Sequence, residues 1–493
     1  MRLALVNPPS RFRIDQFDEP DFGRVGLAYL AAMVRRDPAV EVAVIDARLE
    51  RLSLDEVLWR LRRWAPTVVG LTAFTNEVGS AARVARRVKR ALPAAVTVIG
   101  GPHVTALPEQ TLEEFPEFDI GVVGEGEHTF DALVHALDAG ERLEPIAGLV
   151  YRRGGRPVRT ARRLDEADLD VFPRPAWELM PRSRRALVVT QRGCPYACSF
   201  CQNPAGRRVR QHSIARVLSD IAWLVDDHGV EELLVCDEIF TVDNARTEAL
   251  LDAMIASGLG RRVRWWAQTH VNTVSERIFA KMRAAGCFRV ALGIETGDVD
   301  ILRASRKGSS RERVVRARRM AASVGLPVEG LFILGHPHET RATALRTIAF
   351  AVELNPEVPI FGTMVPYPGT EVAAMAERGE GGYRLLSRNW DDYLKQIGHT
   401  LAFEHLSRRE LELLQLYGYV KVFAANGRWV DLGRFAWRYR SEGLAVLRKL
   451  LSGTMPPPRE PPDPDDAPYV REAPLYFERE VEAPRRVSLP LVS

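Results

Sequence analysis

The chain has 493 residues, 46% apolar and 27% charged, an ordinary globular composition and enough chain for two or three domains. Its 68 basic and 64 acidic residues leave a net charge of +4, which gives no electrostatic ground for a nucleic-acid partner. No run approaches the ~18 apolar residues of a transmembrane helix, and the opening MRLALVNPPS lacks the layout of a secretory signal.

Residues 1–146 alternate β-type runs at 3–7, 42–46, 68–72, 96–100 and 120–124 with amphipathic helical stretches. Val- and Ile-rich runs separated by helices predict a parallel sheet covered on both faces. The expected unit is a doubly wound, Rossmann-like α/β domain with its ligand at the carboxyl ends of the strands. Residues 147–185, punctuated by Pro173, Pro175 and Pro181, read as a linker with one hairpin. A second βα series over 186–382 has strand-like runs at 187–191, 232–236, 263–268, 288–294, 328–334 and 360–365. Six strands in this order predict a (β/α) partial barrel, again with its chemistry at the carboxyl ends. Residues 383–453 read as a helical region (391–395, 408–426 and 432–451) that closes the bottom or side of the barrel chamber. The Pro- and charge-rich stretch 454–493 is expected to be poorly ordered.

Three of the five cysteines lie within eight residues, in Arg192-Gly-Cys194-Pro-Tyr-Ala-Cys198-Ser-Phe-Cys201. This usage suits a reducing cytoplasm and a metal site better than a disulfide framework. Three thiolates on one tight loop suit three irons of a cubane cluster. With no fourth local cysteine, one iron is left open to chelate a substrate's amino and carboxylate groups. Zinc with a distant fourth ligand is the competing reading. Cys236 and Cys287, in or beside apolar runs, read as small buried hydrophobes.

The spacing of Cys194, Cys198 and Cys201, with Phe200 before the last, resembles the radical S-adenosylmethionine superfamily over about residues 186–375. Asp237-Glu238 ends the second strand where that family holds the methionine amino group, with Cys-Asp-Glu replacing the commoner Gly-Gly-Glu. Gly293-Ile-Glu295-Thr looks like the family's ribose motif, and Gly330-Leu-Phe-Ile-Leu-Gly335-His-Pro-His-Glu its adenine-side motif. Val365-Pro-Tyr-Pro-Gly-Thr370 is similar to its sixth-strand ending. The resemblance implies S-adenosylmethionine contacts at Phe200, Asp237, Glu238, Glu295 and Gly335. His336, His338 and Glu339 also admit a metal reading. His270, ending the third strand, reads equally as a substrate contact or a satisfied rim residue.

In the front domain, no GxGxxG follows the first strand. The fourth strand ends in Gly100-Gly101-Pro102-His103 and the fifth in Gly124-Glu125-Gly126-Glu127, with Asn7-Pro-Pro after the first. Glycines there let backbone approach a bulky ligand. These features resemble the cobalamin-binding domain that precedes many such enzymes, which implies cobalamin contacts at Asn7, Thr72, Gly100, Gly101, Pro102, His103, Glu125 and Gly126. Asp-x-His-x-x-Gly, the signature that supplies a histidine to cobalt in other cobalamin proteins, is missing.

The resemblance therefore implies a 4Fe-4S cluster, S-adenosylmethionine and cobalamin as cofactors. It also implies an electron donor such as a flavodoxin or ferredoxin, and a small-molecule or peptide substrate. The leading expectation is methylation of an unactivated carbon through a 5′-deoxyadenosyl radical. A cobalamin-dependent radical cyclase or rearrangement enzyme is the enzymatic alternative, and a cobalamin sensor with a structural cluster the non-enzymatic one. Trp390, Tyr393, Tyr417 and Tyr419 are expected to pack helices.

Overall fold

The structure is a computed structural model, and the residues described are 1–10, 22–395, 400–440 and 443–444. The expected tail, 454–493, and most of the expected helix 432–451 lie outside them.

Five strands, β1 (Arg2–Asn7), β2 (Glu41–Asp46), β3 (Val68–Thr72), β4 (Val96–Gly100) and β5 (Ile120–Val122), pair in parallel in the order β2-β1-β3-β4-β5. Most of their Val and Ile side chains, among them Val6, Val69, Val98 and Ile99, are buried, as a sheet sandwiched between helices requires. The strand order reverses between β1 and β3, so a crevice opens at their carboxyl ends. The expected linker hairpin does more than connect. Its strands β6 (Leu149–Arg153) and β7 (Arg156–Arg159) run antiparallel and extend the same sheet beyond β5 to seven strands. Farther along, Phe172, Trp177 and Met180 are buried, and Trp177 and Met180 share a core with Ala28 of the first domain and Ala186 of the second. Residues after the hairpin thus act as packed filler between the two domains.

The second sheet is wholly parallel and in sequential order: β8 (Arg185–Val188), β9 (Glu232–Val235), β10 (Arg264–Thr269), β11 (Cys287–Glu295), β12 (Val328–Leu334) and β13 (Val358–Thr363). Sequential βα units give this open six-stranded arc. Its outward residues, among them Leu233, Val235, Trp265, Ala267, Phe332 and Leu334, are buried under helices.

The C-terminal region departs from the all-helical expectation. Two short antiparallel strands form at Tyr383–Leu385 and Leu401–Phe403. Residues 391–395 make no α-helix; one 3-10 turn forms at Trp390–Asp392, with the Asn389 side chain accepting from the Asp391 N–H at 3.1 Å. Such side-chain-to-backbone bonds compete with helix formation. The helix Arg408–Ala425, begun by a Ser407/Glu410 capping box, flanks β13. Gln415 donates to the Phe361 carbonyl at 2.6 Å, and the Tyr419 hydroxyl accepts from the Phe361 N–H at 3.1 Å. The region therefore closes the side of the arc. Tyr419 packs as expected, whereas Tyr417 stands 43% exposed on the outer face.

Candidate active site

The three cysteines lie on the loop after β8. Gly193 has φ +98°, and a Cβ there would stand 2.1 Å from the Arg208 carbonyl oxygen, so only glycine fits this close approach. The Cys194 N–H donates to the Gly206 carbonyl at 3.0 Å, Asn203 Nδ2 to the Cys194 carbonyl at 3.0 Å, and the Ser199 N–H to the Ser305 carbonyl at 3.0 Å. Cys194 and Cys198 are partly accessible and Cys201 is exposed. Burial pushes the Cys198 thiol up to about 11, so thiolates form here at a cost that a bound cation offsets. Among the described residues no three His, Cys, Asp or Glu side chains converge on one metal ion, as zinc would require. A cubane takes each thiolate on a different iron and needs no such convergence.

Asp237 and Glu238 lie just past the end of β9 and point to opposite sides. Glu238 turns inward and accepts from the Gly193 N–H at 3.0 Å. Asp237 turns the other way, contrary to the S-adenosylmethionine contact expected for it. Its buried carboxylate accepts from the Thr190 N–H at 2.7 Å, the Thr190 hydroxyl at 2.6 Å and the Gln191 N–H at 3.1 Å. Burial still pushes it up to about 7.

Glu295, left-handed at φ +68°, accepts from Lys307 Nζ at 2.6 Å. Both are buried, and the Lys307 ammonium acts on the Cys198 thiol. Sequence reasoning missed Lys307; its only signal is a basic residue in a Gly-flanked loop shortly after the ribose motif. His270 is the satisfied rim residue rather than a substrate contact. Its Nδ1 accepts from the Asn272 N–H at 3.2 Å, so Nε2 carries the proton and donates to the Lys307 carbonyl at 3.1 Å. Tyr196 of the cysteine loop stacks on the His270 ring at 4.0 Å.

At the end of β12, Gly335 donates its N–H to Glu339, and its carbonyl accepts from the Tyr383 hydroxyl at 2.9 Å. Its backbone polar groups are thus taken by the protein, and the expected adenosine contact is not one of them. The neighbouring His336 is buried, with neither ring nitrogen hydrogen-bonded, and its ring meets Phe200 edge-on at 6.0 Å. His338 is exposed, so the two histidines do not share a metal face.

Inward side chains leave the barrel interior open. Leu234, Trp266, Leu331 and Ile333 keep partial exposure, and Cys236 and the laterally adjacent Gln268 are exposed. Cys236 thus lines a chamber and is not the packed hydrophobe expected; Cys287 is fully buried. The protein around Cys236 still desolvates its thiol, which rises to about 12, and Asp237, Glu238 and Arg24 of the first domain act on it. Arg192, which opens the cysteine loop, pairs with Glu125 and Glu127 of the first domain, so the chamber faces that domain. Its floor is an Arg289–Glu329 ion pair at 3.2 Å, with the Arg289 guanidinium 4.6 Å over the Trp266 ring.

Across the chamber stand the strand ends of the first domain. Gly101 has φ +104°, and a Cβ there would meet the Ala73 carbonyl at 2.7 Å. This seats the 100–103 loop against the loop after β3, where Thr72 is half-buried. A Cβ at Gly100 would meet nothing nearer than the Leu71 carbonyl at 3.9 Å. Pro102 begins a short helix, and His103 is fully buried with neither ring nitrogen hydrogen-bonded; burial lowers it to about 3, so it is neutral. The Thr75 hydroxyl is likewise buried without a partner. An unpaired buried polar group costs about 1–3 kcal/mol, so both side chains are held in place by the packing around them.

Phe74, 44% exposed with the Arg24 guanidinium 4.8 Å over its ring, lies in the loop after β3 and was missed in the sequence. Three other expected cobalamin residues are engaged within the protein. Asn7 donates to Asp46 at 2.7 Å and accepts from Arg24 at 3.3 Å. Glu125 accepts both Arg210 terminal nitrogens at 2.7 Å and lies 3.3 Å from Arg192, whose second nitrogen reaches Glu127 at 2.6 Å. At Gly126 a Cβ would point at Leu30 of the domain's own core, 3.3 Å away. This buried ionic network welds the first domain to the residue that opens the cysteine loop.

Residues 19–134 match the B12 binding domain and residues 188–351 the radical SAM superfamily. An uncharacterized methyltransferase of Pyrococcus horikoshii is 33% identical over 86% of this chain and 92% of its own length. The chain belongs to the cobalamin-binding radical S-adenosylmethionine enzymes. Its cofactors are a 4Fe-4S cluster, S-adenosylmethionine and cobalamin. Another member similar to this radical S-adenosylmethionine enzyme is the anaerobic magnesium-protoporphyrin IX monomethyl ester cyclase of Rubrivivax gelatinosus, 30% identical over 83% of this chain and 81% of its own. Among solved structures, the radical S-adenosylmethionine methyltransferase TsrM of Kitasatospora setae, with cobalamin and a [4Fe-4S] cluster bound, shares the fold. Its TM-score is 0.68 at 20% identity, covering 86% of this chain and 88% of that one. No helix among the described residues is long and apolar enough to cross a membrane.

Proposed function

We propose that this enzyme methylates an unactivated carbon of a small-molecule substrate. The observation that carries the reading is the open chamber between the cysteine loop and the glycine-rich strand ends of the cobalamin domain. When bound, the cluster and S-adenosylmethionine supply a 5′-deoxyadenosyl radical, and cobalamin supplies a methyl group. The chain's own residues hold and orient. Cys194, Cys198 and Cys201 ligate the cluster. Glu238, Lys307 and Glu295 present fixed charges to the polar ends of S-adenosylmethionine, with Phe200 and His336 beside its adenosine. Cys236 and Gln268 face the substrate, and the Arg289–Glu329 pair with Trp266 seals the floor against water. Confinement in one chamber is the chief contribution to rate. We place the reaction in a reducing cytoplasm, with reduction by a flavodoxin- or ferredoxin-like donor.

Methylation is favoured by the Pyrococcus relative, named a methyltransferase and aligned over 86% of this chain. The cyclase relative, aligned over 83%, supports a second reading without methyl transfer. The two separate by product. Anaerobic, reconstituted protein given cobalamin, reductant and S-adenosylmethionine should form both S-adenosylhomocysteine and 5′-deoxyadenosine if it methylates. 5′-Deoxyadenosine without S-adenosylhomocysteine would overturn methylation in favour of the cyclase-type reading.

A further inference from the structure

One short segment of the C-terminal region leaves the barrel and seats itself on the cobalamin domain. Residues 389–393 form the 3-10 turn Trp390–Asp392, which packs against Thr75–Glu77 and the helix Val78–Ala91 that follow β3. Gly79 makes room for it: a Cβ there would stand 2.7 Å from Asp391 Oδ1. The Trp390 ring packs against the domain's own core and meets the His103 ring edge-on, with centroids 4.9 Å apart. Its indole N–H donates to Glu114 Oε2 at 2.6 Å, while Gln110 Nε2 holds the other oxygen at 2.7 Å. Tyr393, buried, backs the indole at 4.9 Å. The turn therefore bridges the two loops, after β3 and after β4, that carry the unpartnered Thr75 hydroxyl and His103 ring nitrogens.

We propose that Trp390 is a positioning residue for cobalamin: anchored to Glu114 at the end of the helix Pro108–Glu114, it bears on His103 from outside the cobalamin domain and so latches the 100–103 loop, completing the cofactor site. The proposal rests on the assignment of cobalamin to this domain. A hydrogen bond to a fixed carboxylate and an aromatic edge contact hold the loop in one arrangement before the cofactor arrives, so less order is lost on binding. Without the indole, the loop gains freedom and water reaches the two unpaired side chains.

The test measures hydroxocobalamin affinity and dissociation rate by absorption spectroscopy, in cluster-reconstituted full-length parent, Trp390→Ala, Trp390→Phe and Glu114→Gln. The expected result is about tenfold or greater weakening and faster release for Trp390→Ala, since a hydrogen bond to a charged group is lost together with a ring contact. Trp390→Phe should recover part of the affinity, because a ring still meets His103, and Glu114→Gln should fall between Phe and parent. Iron and sulfide content should stay at the parent level throughout. Parent-like affinity and release in Trp390→Ala would overturn the proposal. If Trp390→Ala also loses iron, its fold has failed, and the Phe and Gln variants decide by the same comparison: parent-like binding in both overturns the latch. A parent that binds no cobalamin sinks the assignment beneath the proposal, a result distinct from either.

Discussion

Asp237 and Glu238 are neighbours in sequence with opposite employment. Glu238 ends on the chamber side against the Gly193 N–H, and Asp237 ends on the outer side, tying down Thr190 and Gln191. Asp237 sits at about 7 in the folded state against about 4 for a free carboxyl. Between pH 4 and 7 the folded protein therefore holds the proton that the unfolded chain has released, so this group's contribution to stability falls as pH rises and levels off above 7. Asp237→Asn, nearly isosteric, should keep the fold and remove a pH-dependent loss on the order of 4 kcal/mol. Denaturant unfolding at stepped pH checks this, and an identical pH dependence in parent and variant would contradict it. The sequence could not assign the two roles, because β9 is apolar on both faces and its pattern carries no phase. By contrast the Cys194, Cys198 and Cys201 spacing, and the glycine before it, are local features and were legible. Gly193→Ala places a Cβ against the Arg208 carbonyl. It should abolish cluster reconstitution, read as iron content, while leaving the far-ultraviolet circular dichroism close to the parent's.

Among elements, the weld between the domains is the strongest feature that local pattern did not reveal. Glu125 stands on a glycine-rich strand end, which reads as a ligand contact. Its partner Arg210 is 85 residues away, and no spacing rule connects them. With Arg210 1% and Arg192 13% exposed, Glu125→Ala leaves buried cations short of their carboxylate and should cost about 3–5 kcal/mol. Glu125→Gln, which still accepts one hydrogen bond, should cost less. Chemical denaturation measures both; a cost below about 1 kcal/mol for the alanine variant would show the network to be dispensable. The same non-locality explains the 389–393 turn. Its helix-compatible sequence is overruled by the Asn389 side chain and by the seat for Trp390 on another domain. The hairpin β6–β7 was visible as a turn, but its addition to the first sheet depends on the free edge of β5, which sequence does not mark.

For the molecule as a whole, the order of the two domains, the parallel pairing of β1 to β5 and of the second sheet, and the sequence of strand-end motifs were all readable from periodicity and local residues. The way the two carboxyl edges face each other was not, since it is fixed by contacts between distant residues: Arg192 with Glu127, Arg210 with Glu125, Trp390 with Glu114. That facing arrangement turns two ordinary α/β units into one reaction chamber, and radical formation at the cysteine loop is its central consequence. The most direct measurement is 5′-deoxyadenosine formation by the anaerobic, reconstituted protein with S-adenosylmethionine and a strong reductant, set beside Cys198→Ala. The parent should form 5′-deoxyadenosine and the variant none. A parent that holds its full complement of iron and sulfide yet yields no 5′-deoxyadenosine would contradict it.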